Sequence, residues 1–178
     1  MGIPKEPKPV KFFFALLSRH EDLFPLVEAR LTGLVGPIDG ATRALPWAVT
    51  DYYQEEMGPD LLRRFISLSS LISPERLPEI KLMTRGLEEE YQWIEGNRKG
   101  RQINIDPGYL DAGKVVLAST KGALHRIYLR YGIYGEATLW FHDGSFHPLA
   151  HTYPDYLWPE TLFLGLRSLY LGHLKYGS

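Results

Sequence analysis

The chain has 178 residues, 44% of them hydrophobic and 13% aromatic, with a formal net charge of −1 and no cysteine. This length and composition predict a single domain over residues 1–178 with a sizeable core, and they exclude a disordered chain. The balanced charge argues against a nucleic-acid partner, and the lack of cysteine excludes disulfides, thiolate metal sites and a cysteine nucleophile.

The location of the protein is predicted from segments that the sequence lacks. No run approaches the ~20 apolar residues of a membrane-spanning helix. The apolar run Val10–Leu17 is too short, and too soon followed by charged residues, to be the core of a secretion signal. We therefore expect a cytoplasmic protein that has no membrane partner.

The first half of the chain alternates predicted strands and helices. Val10–Leu17 (VKFFFALL) is almost entirely apolar, which predicts a buried central strand. Asp22 is a candidate cap for a helix that ends near Val35. Two further strands are expected at Ala41–Val49 and Leu61–Leu68, and the proline within the former indicates an edge or a bulge.

A second helix is predicted to begin at Ser73-Pro74-Glu75, where a capping residue is followed by proline and an acid, and to extend to Ile94. Gln102–Ile105 then predicts a fourth strand, which Asp106-Pro107-Gly108 is expected to break. The resulting order, β-α-β-β-α-β, is that of a ferredoxin-like split unit.

Strands dominate the remainder of the chain. Lys114–Ser119 fits a strand or a short helix, and its valines favour the strand. His125–Leu129 and Ile133–Phe141 predict a hairpin, Asp143-Gly144 predicts a second hairpin turn, and Pro159 predicts the start of a last helix. We therefore predict the α+β class, with a largely antiparallel mixed sheet whose ferredoxin-like first part is extended by C-terminal hairpins and a C-terminal helix.

Several segments, in order along nearly the whole chain, match a known pattern. They are residues 4–12 (PKEPKPVKF), 50–58 (TDYYQEEMG), 104–110 (NIDPGYL), 117–121 (LASTK) with 125–129 (HRIYL), and 152–156 (TYPDY). Together they resemble an uncharacterised bacterial domain-of-unknown-function family of about this length, some of whose members carry the label "GTP-binding protein". The resemblance implies no established activity, cofactor or catalytic residue. The sequence contains neither the G-x-x-x-x-G-K-[ST] phosphate loop nor an N-K-x-D motif.

The first candidate site is the segment Thr50–Gly58. It places the carboxylates of Asp51, Glu55 and Glu56 beside Tyr52 and Tyr53. Such a group suits a hard cation such as Mg²⁺, or acid–base work. The alternative interpretation is a solvated loop anchored by its two tyrosines.

The second candidate is Asp106, followed after Pro107-Gly108 by Tyr109. A carboxylate at a strand end is a common position for catalysis or metal binding. Aspartate is equally common as a turn former that accepts backbone N–H groups, so both interpretations stand.

The third candidate is the polar segment that holds Thr120, Lys121, His125 and Arg126. Lys121 and Arg126 are suited to clamp a phosphate or carboxylate, and His125 is suited to act as a general base. The alternative is a polar turn in which Arg126 pairs with a surface acid.

Two further features, a pair of adjacent arginines and a group of three histidines, are explained without a functional site. One of the adjacent arginines Arg63 and Arg64 must face inward, and we expect Glu55, Glu56 or Asp106 to be its partner. The three histidines at positions 142, 147 and 151 have spacings that match no short metal motif, so a surface loop is favoured and no metal ligand is assigned.

We expect the three candidate segments to converge around a small anionic, phosphate- or carboxylate-bearing molecule, with Mg²⁺ as the cofactor considered. The predicted catalytic residues are His125, Asp106 and Glu55, and the predicted ligand-binding residues are Tyr52, Tyr53, Arg64, Tyr109, Thr120, Lys121 and Arg126. The alternative is a non-catalytic interaction or homodimerisation module that presents Trp47, Tyr52, Trp140 and Tyr153 to a partner. RNA binding through the sheet is a weaker third hypothesis, because the strands lack the required aromatic pattern.

Overall fold

The computed structural model of the protein describes residues 2–158 and 161–176. Its helices are α1 (Leu23–Val35), α2 (Gln54–Met57), α3 (Leu77–Glu90) and α4 (Leu162–Tyr176). Its strands are β1 (Val10–Ser18), β2 (Ile38–Ala41), β3 (Leu45–Pro46), β4 (Leu62–Ile72), β5 (Gln92–Glu95), β6 (Arg98–Arg101), β7 (Ile103–Leu110), β8 (Lys114–Ser119), β9 (Ile127–Arg130), β10 (Ile133–His142) and β11 (Ser145–Pro148).

Nine strands of the described residues form one antiparallel sheet in the order β11-β10-β8-β7-β1-β4-β2, with β3 beside β4 and β9 beside β10. Strands β5 and β6 form a separate hairpin. The four strands β7-β1-β4-β2, connected through α1 and α3, have the arrangement of the ferredoxin-like split unit. The predicted α+β class, with a largely antiparallel sheet and C-terminal extension, is confirmed.

Strand β1 lies between β4 and β7 and is covered on both faces. Phe12, Phe14 and Leu16 pack with residues of α1 and α3. Phe13 and Ala15 belong to the opposite cluster, which contains residues of α4. A strand that is covered on both faces needs apolar side chains at successive positions, which accounts for its apolar run from Phe12 to Leu17.

The second predicted strand, Ala41–Val49, is wrong in its position. The structure has β2 at Ile38–Ala41 and only the two-residue β3 at Leu45–Pro46. Pro46 cannot donate a ladder hydrogen bond. The next residue, Trp47, is buried in a separate small cluster with Leu17, Met57 and Leu61.

Helix α3 ends at Glu90, four residues before the predicted end at Ile94. The chain instead forms the β5–β6 hairpin, in which Gly96 turns with a φ of 59°. Ile94 follows the helical spacing of the preceding apolar residues but is 75% exposed, so the spacing alone extended the prediction too far.

Strand β7 continues through Asp106-Pro107-Gly108, where a break was predicted. Pairing with β1 keeps this segment extended, with Ala15 opposite Asp106 and Phe14 opposite Pro107. Local turn propensity is therefore outweighed by a neighbouring strand, a constraint that only the folded chain supplies.

The C-terminal hairpins agree with the sequence. Tyr131-Gly132 and Asp143-Gly144 both turn with positive φ at each residue. Pro159, predicted to open the last helix, lies outside the described residues, and α4 is described from Leu162. Among the described residues, no helix has the length and apolarity needed to span a membrane.

Gly108 provides a test of this packing. A Cβ atom at this position would lie 2.6 Å from Phe13 Cζ, 2.7 Å from Leu117 Cδ2 and 2.7 Å from the Val116 carbonyl oxygen. We expect Gly108→Ala to lower the free energy of unfolding by about 1–3 kcal/mol through overpacking. Gly86→Ala, on the open face of α3, is the matched control and should raise it by about 0.5–1 kcal/mol. Urea denaturation measures both, and equal effects would contradict the crowding at Gly108.

Candidate functional site

The site begins where β7 and β8 separate. These strands pair only between Gly108–Leu110 and Val115–Leu117. Ahead of that pairing lies Pro107, which has no N–H to donate. The earlier part of β7 thus has β1 along one edge and no described strand along the other.

Two side chains of helix α3 form hydrogen bonds with the backbone groups of β7 that have no partner strand at this gap. The Ile105 N–H donates to Glu88 Oε1 at 2.6 Å, and the Ile105 carbonyl accepts from Lys81 Nζ at 2.9 Å. Lys81 and Glu88 lie seven residues apart, two helical turns, so both side chains project from the same face of α3. A buried lysine and a buried glutamate thus take the place of a neighbouring strand.

A cavity of about 480 Å³ opens beside this gap, within the size range of small-molecule sites. Its walls come from α3, from strands β4, β6, β7 and β10, from the end of β8 and the loop that follows it, from the segment around α2, and from residues 153–156. Its charged side chains are Glu56, Arg63, Lys81, Arg85, Glu88, Glu89, Arg101, Asp106, Lys121, Arg126 and Glu136. The lining of the cavity therefore carries both positive and negative side chains.

Asp106 is held ionised in this cavity. Its Oδ1 atom lies 3.0 Å from Lys81 Nζ, and its Oδ2 atom accepts from Asn104 Nδ2 at 2.6 Å. Burial opposes ionisation, but the positive charges of Lys81 and Arg63, with these hydrogen bonds, lower the pKa of Asp106 below its ordinary value. The predicted catalytic carboxylate therefore already has a counter-ion.

Arg101 connects the hairpin β5–β6 to the cavity. It makes a two-pronged contact with Glu56, through Nε at 2.7 Å and Nη2 at 2.8 Å, and its Nη1 donates to Asn104 Oδ1 at 2.8 Å. The hydrogen bond from Arg101 lowers the pKa of Glu56. Burial instead raises the pKa of Glu88, although Lys81 acts in the opposite direction.

The inward-facing arginine is Arg63, which is 4% exposed. Its partner was predicted among Glu55, Glu56 and Asp106, and that prediction is wrong: Arg63 Nε donates to Asp155 Oδ2 at 2.7 Å. The same oxygen accepts from Trp47 Nε1 at 2.9 Å. Asp155 lies 92 positions along the chain from Arg63, so no local pattern could have identified the pair.

Six of the predicted site residues line the cavity, namely Tyr52, Tyr53, Asp106, Thr120, Lys121 and Arg126. Lys121 Nζ donates to the Tyr52 hydroxyl and lies 4.4 Å from the centre of its ring. Arg126 donates to Glu136 Oε2 at 2.5 Å and to the Lys121 carbonyl at 2.9 Å. Burial, with Asp106 nearby, raises the pKa of Tyr53, which keeps its phenol protonated.

The other predicted site residues do not line the cavity. Glu55 is exposed on α2, and Arg64 faces the opposite side of β4 from Arg63, where its Nε donates to Glu28 at 2.6 Å. Tyr109 packs against Phe12, with ring centres 5.9 Å apart. His125 lies just outside the lining, 3.1 Å from Glu136 Oε2. Strand alternation separates Arg63 from Arg64, and the helical geometry of α2 separates Glu55 from Glu56.

Of the carboxylates considered for Mg²⁺, Glu56 and Asp106 are paired with cations of the protein. Glu56 is bound by Arg101, and Asp106 is bound by Lys81. Mg²⁺ prefers oxygen ligands and would have to displace both partners to bind there.

Sequence reasoning did not assign the following charged and amide residues to the site: Arg63, Lys81, Glu88, Arg101, Asn104 and Glu136. Lys81 and Glu88 carried a usable signal, because both fall near the apolar stripe of α3 that holds Ile80, Thr84 and Leu87. A charged pair close to a buried stripe indicates an internal partner. Glu136 carried a weaker one, as an acid within the apolar strand β10.

Lys81→Met tests the buried network. Removing the ammonium leaves the Ile105 carbonyl and the Asp106 carboxylate without their partner, and we expect a loss of about 3–5 kcal/mol in unfolding free energy at neutral pH. Lys81 lowers the pKa of both Asp106 and Glu88, so its removal raises both values. Acids with raised pKa values in the folded state favour folding at low pH. The difference from wild type should therefore be largest near pH 7 and shrink toward pH 4.

Arg85→Met on the same helix is the control for Lys81→Met. Arg85 forms an exposed pair with Glu89, so its loss should change stability by no more than about 0.5 kcal/mol at either pH. Urea denaturation across this pH range measures both variants. A Lys81→Met deficit that is independent of pH would contradict the assigned pairing.

A comparison with family models matches residues 8–170 to the family described as Domain of unknown function (DUF4416). No curated protein gives a significant match, and no solved structure does. All the side chains that line the cavity, from Trp47 to Tyr156, fall within the matched span. The chain belongs to the DUF4416 family of domains of unknown function.

Proposed function

We propose that this protein binds a small anionic molecule, bearing phosphate or carboxylate, in the cavity beside β7. The observation that carries the proposal is Arg63, whose buried Nη1 atom has no hydrogen-bond partner within the described part of the chain. Leaving a charged donor buried and unpaired costs about 1–3 kcal/mol or more. An anionic oxygen placed beside Arg63 would remove that cost.

Lys121 supports the same assignment. Among the described residues its side-chain hydrogen-bond partner is the Tyr52 hydroxyl, which carries no charge to match the ammonium. The other cavity cations each have a carboxylate within 4.0 Å, namely Arg63, Lys81, Arg85, Arg101 and Arg126. Lys121 is thus the cavity lysine whose charge an incoming anion would balance.

The cavity also offers neutral groups for the rest of such a molecule. Tyr52, Tyr53 and Tyr153 line it, and Ser119 and Thr120 add hydroxyls at the end of β8. Tyrosines and hydroxyls bind polar organic groups by hydrogen bonds and by ring contact. These features favour a small organic anion over an inorganic ion alone.

A thermal-shift series with inorganic phosphate, pyrophosphate, a sugar phosphate and citrate tests the proposal. A bound anion at 100 times its dissociation constant adds about 2.7 kcal/mol, which raises the melting temperature by roughly 5–10 °C in a chain of this size. Lys121→Met should weaken the binding by about 10- to 100-fold, because it removes a charge-assisted hydrogen bond.

Lys99→Met is the matched control, since Lys99 is an exposed lysine on β6 outside the cavity lining. It should bind like wild type. The proposal fails if none of the four anions moves the wild-type midpoint, or if Lys99→Met and Lys121→Met weaken binding equally.

A second candidate function, association with another copy or another protein, is favoured by the segment around β9. Ile127 is 74% exposed, Tyr128 58% and Tyr131 62%. In the described part of the chain β9 pairs with β10 alone, so its outer edge is free for another strand. Of the aromatic residues first expected to meet a partner, Trp47 is buried at 5% exposure and cannot do so.

Light scattering after size exclusion tests this second candidate. Association through β9 predicts a dimer that dissociates in Ile127→Lys, because a charge at the edge opposes strand pairing. Ile94→Lys, at an isoleucine of similar exposure on β5, should leave the dimer intact. A wild-type protein that elutes as a monomer at all concentrations excludes the dimer.

A further inference from the structure

We propose that His125, Glu136 and His151 form a binding site for one divalent transition-metal ion such as Zn²⁺. They come from three segments: the loop before β9, the middle of β10, and the loop after β11. One potential ligand atom of each lies within 4.8 Å of the others. This is a different set from the histidines at positions 142, 147 and 151, whose spacing in the sequence indicated no metal.

The ring of His151 is oriented for a metal. Its Nε2 atom lies 2.8 Å from the Ala137 carbonyl oxygen. A carbonyl only accepts hydrogen bonds, so Nε2 carries the hydrogen, and in the neutral ring the Nδ1 lone pair is free. Histidines that bind metals are commonly held in this way, by a hydrogen bond from the second nitrogen to a carbonyl or carboxylate.

The side chains of His125 and Glu136 are already in contact. His125 Nε2 lies 3.1 Å from Glu136 Oε2, so an imidazole hydrogen occupies the space between a nitrogen and a carboxylate oxygen. In the other neutral tautomer of His125 the hydrogen lies on Nδ1, and the Nε2 lone pair and Glu136 Oε2 would then bind one metal ion together. Glu136 supplies a negative charge at only 7% exposure, where an ion pair is weakly screened by water.

The two imidazole rings are neighbours, stacked with their centres 4.0 Å apart and their planes at 16° to each other. A metal ion lies in the plane of each imidazole that binds it, so one of the two rings must turn before both can bind the same ion. Ligand atoms around Zn²⁺ at about 2.0–2.1 Å are separated from one another by roughly 3.3 Å in a tetrahedron. Closing the present cluster to that size requires one ring to rotate out of the stack, and the partial exposure of His125 permits its ring to do so.

Arg126 is the competing cation at this site, because its Nε donates to the same Glu136 oxygen at 2.5 Å. A bound metal would have to draw Glu136 away from Arg126 or share it. The metal affinity of the wild-type protein thus depends on how much more strongly Glu136 binds the metal ion than it binds Arg126.

The ligand set decides the class of metal. Two imidazole nitrogens and one carboxylate suit Zn²⁺ and other first-row transition metals better than Mg²⁺, which prefers oxygen ligands alone. Three protein ligands also leave a coordination position open. Glu136 and Arg126 line the cavity as well, so the ion would lie at its edge, although the assignment does not depend on the proposed anion.

Calorimetric titration with ZnCl₂, in a buffer that does not chelate the metal, tests the site. We expect one equivalent to bind wild type, and His125→Ala, His151→Ala and Glu136→Gln each to weaken binding by at least about 10-fold. Arg126→Met should bind Zn²⁺ more tightly than wild type, because it removes the competing charge. Titration with Co²⁺ adds a visible absorption band that reports its ligands directly.

The double variant His142→Ala/His147→Ala is the control. The rings of His142 and His147 also stack, with centres 3.7 Å apart. They are a surface pair of histidines, so this variant shows whether the metal binds adventitiously to such a pair. The proposal predicts wild-type affinity for this variant. No binding to wild type, or binding lost in this control and kept in His125→Ala and His151→Ala, would overturn it. The two histidine variants keep the test decisive if Glu136→Gln does not fold, because neither histidine is fully buried.

Discussion

The structure of the site depends on the hydrogen bonds made by the backbone of one residue, Ile105. Ile105 lies in β7 beyond the end of its pairing with β8, and its N–H and carbonyl groups are taken by Glu88 and Lys81 of α3. An unpaired backbone group in this position would cost as much as a lost hydrogen bond. The helix therefore stabilises a sheet that has opened. The opening is the space in which the cavity lies.

The buried lysine and glutamate of α3 need partners of opposite charge, and these partners account for the ion pairs in the cavity wall. A lysine buried to bond a carbonyl requires an anion, which Asp106 supplies at 3.0 Å. Glu88 in turn lies within reach of Arg101, which binds Glu56 on α2. The ion pairs thus extend from the sheet through α3 and β6 to α2, and they fix the cavity wall. Lys121 and Arg63 lie outside this network: within the described residues Lys121 donates to the Tyr52 hydroxyl, and Arg63 pairs with Asp155.

Part of the site followed from local sequence, and part did not. Polar loops that carry tyrosines, lysine and arginine were identified as candidates, and Tyr52, Lys121 and Arg126 lie on one cavity. Glu55 and Arg64 were misplaced because each has a neighbour of the same kind, and only the phase of the helix or strand decides which of the two faces inward. Arg63 and Asp155 could not be paired in advance, since their contact forms across 92 positions.

The sequence by itself determined the α+β class, the central buried strand, the alternation that puts Arg63 and Arg64 on opposite faces, and the glycine turns of the hairpins. These depend on side-chain periodicity and on backbone dihedral preferences, which act over a few residues. Only the tertiary structure decided that β7 runs straight through Asp106-Pro107-Gly108 and that β8 separates from it. Pairing with β1 supplies more hydrogen bonds and burial than the local turn preference can oppose, and that partner lies about 90 residues earlier in the chain.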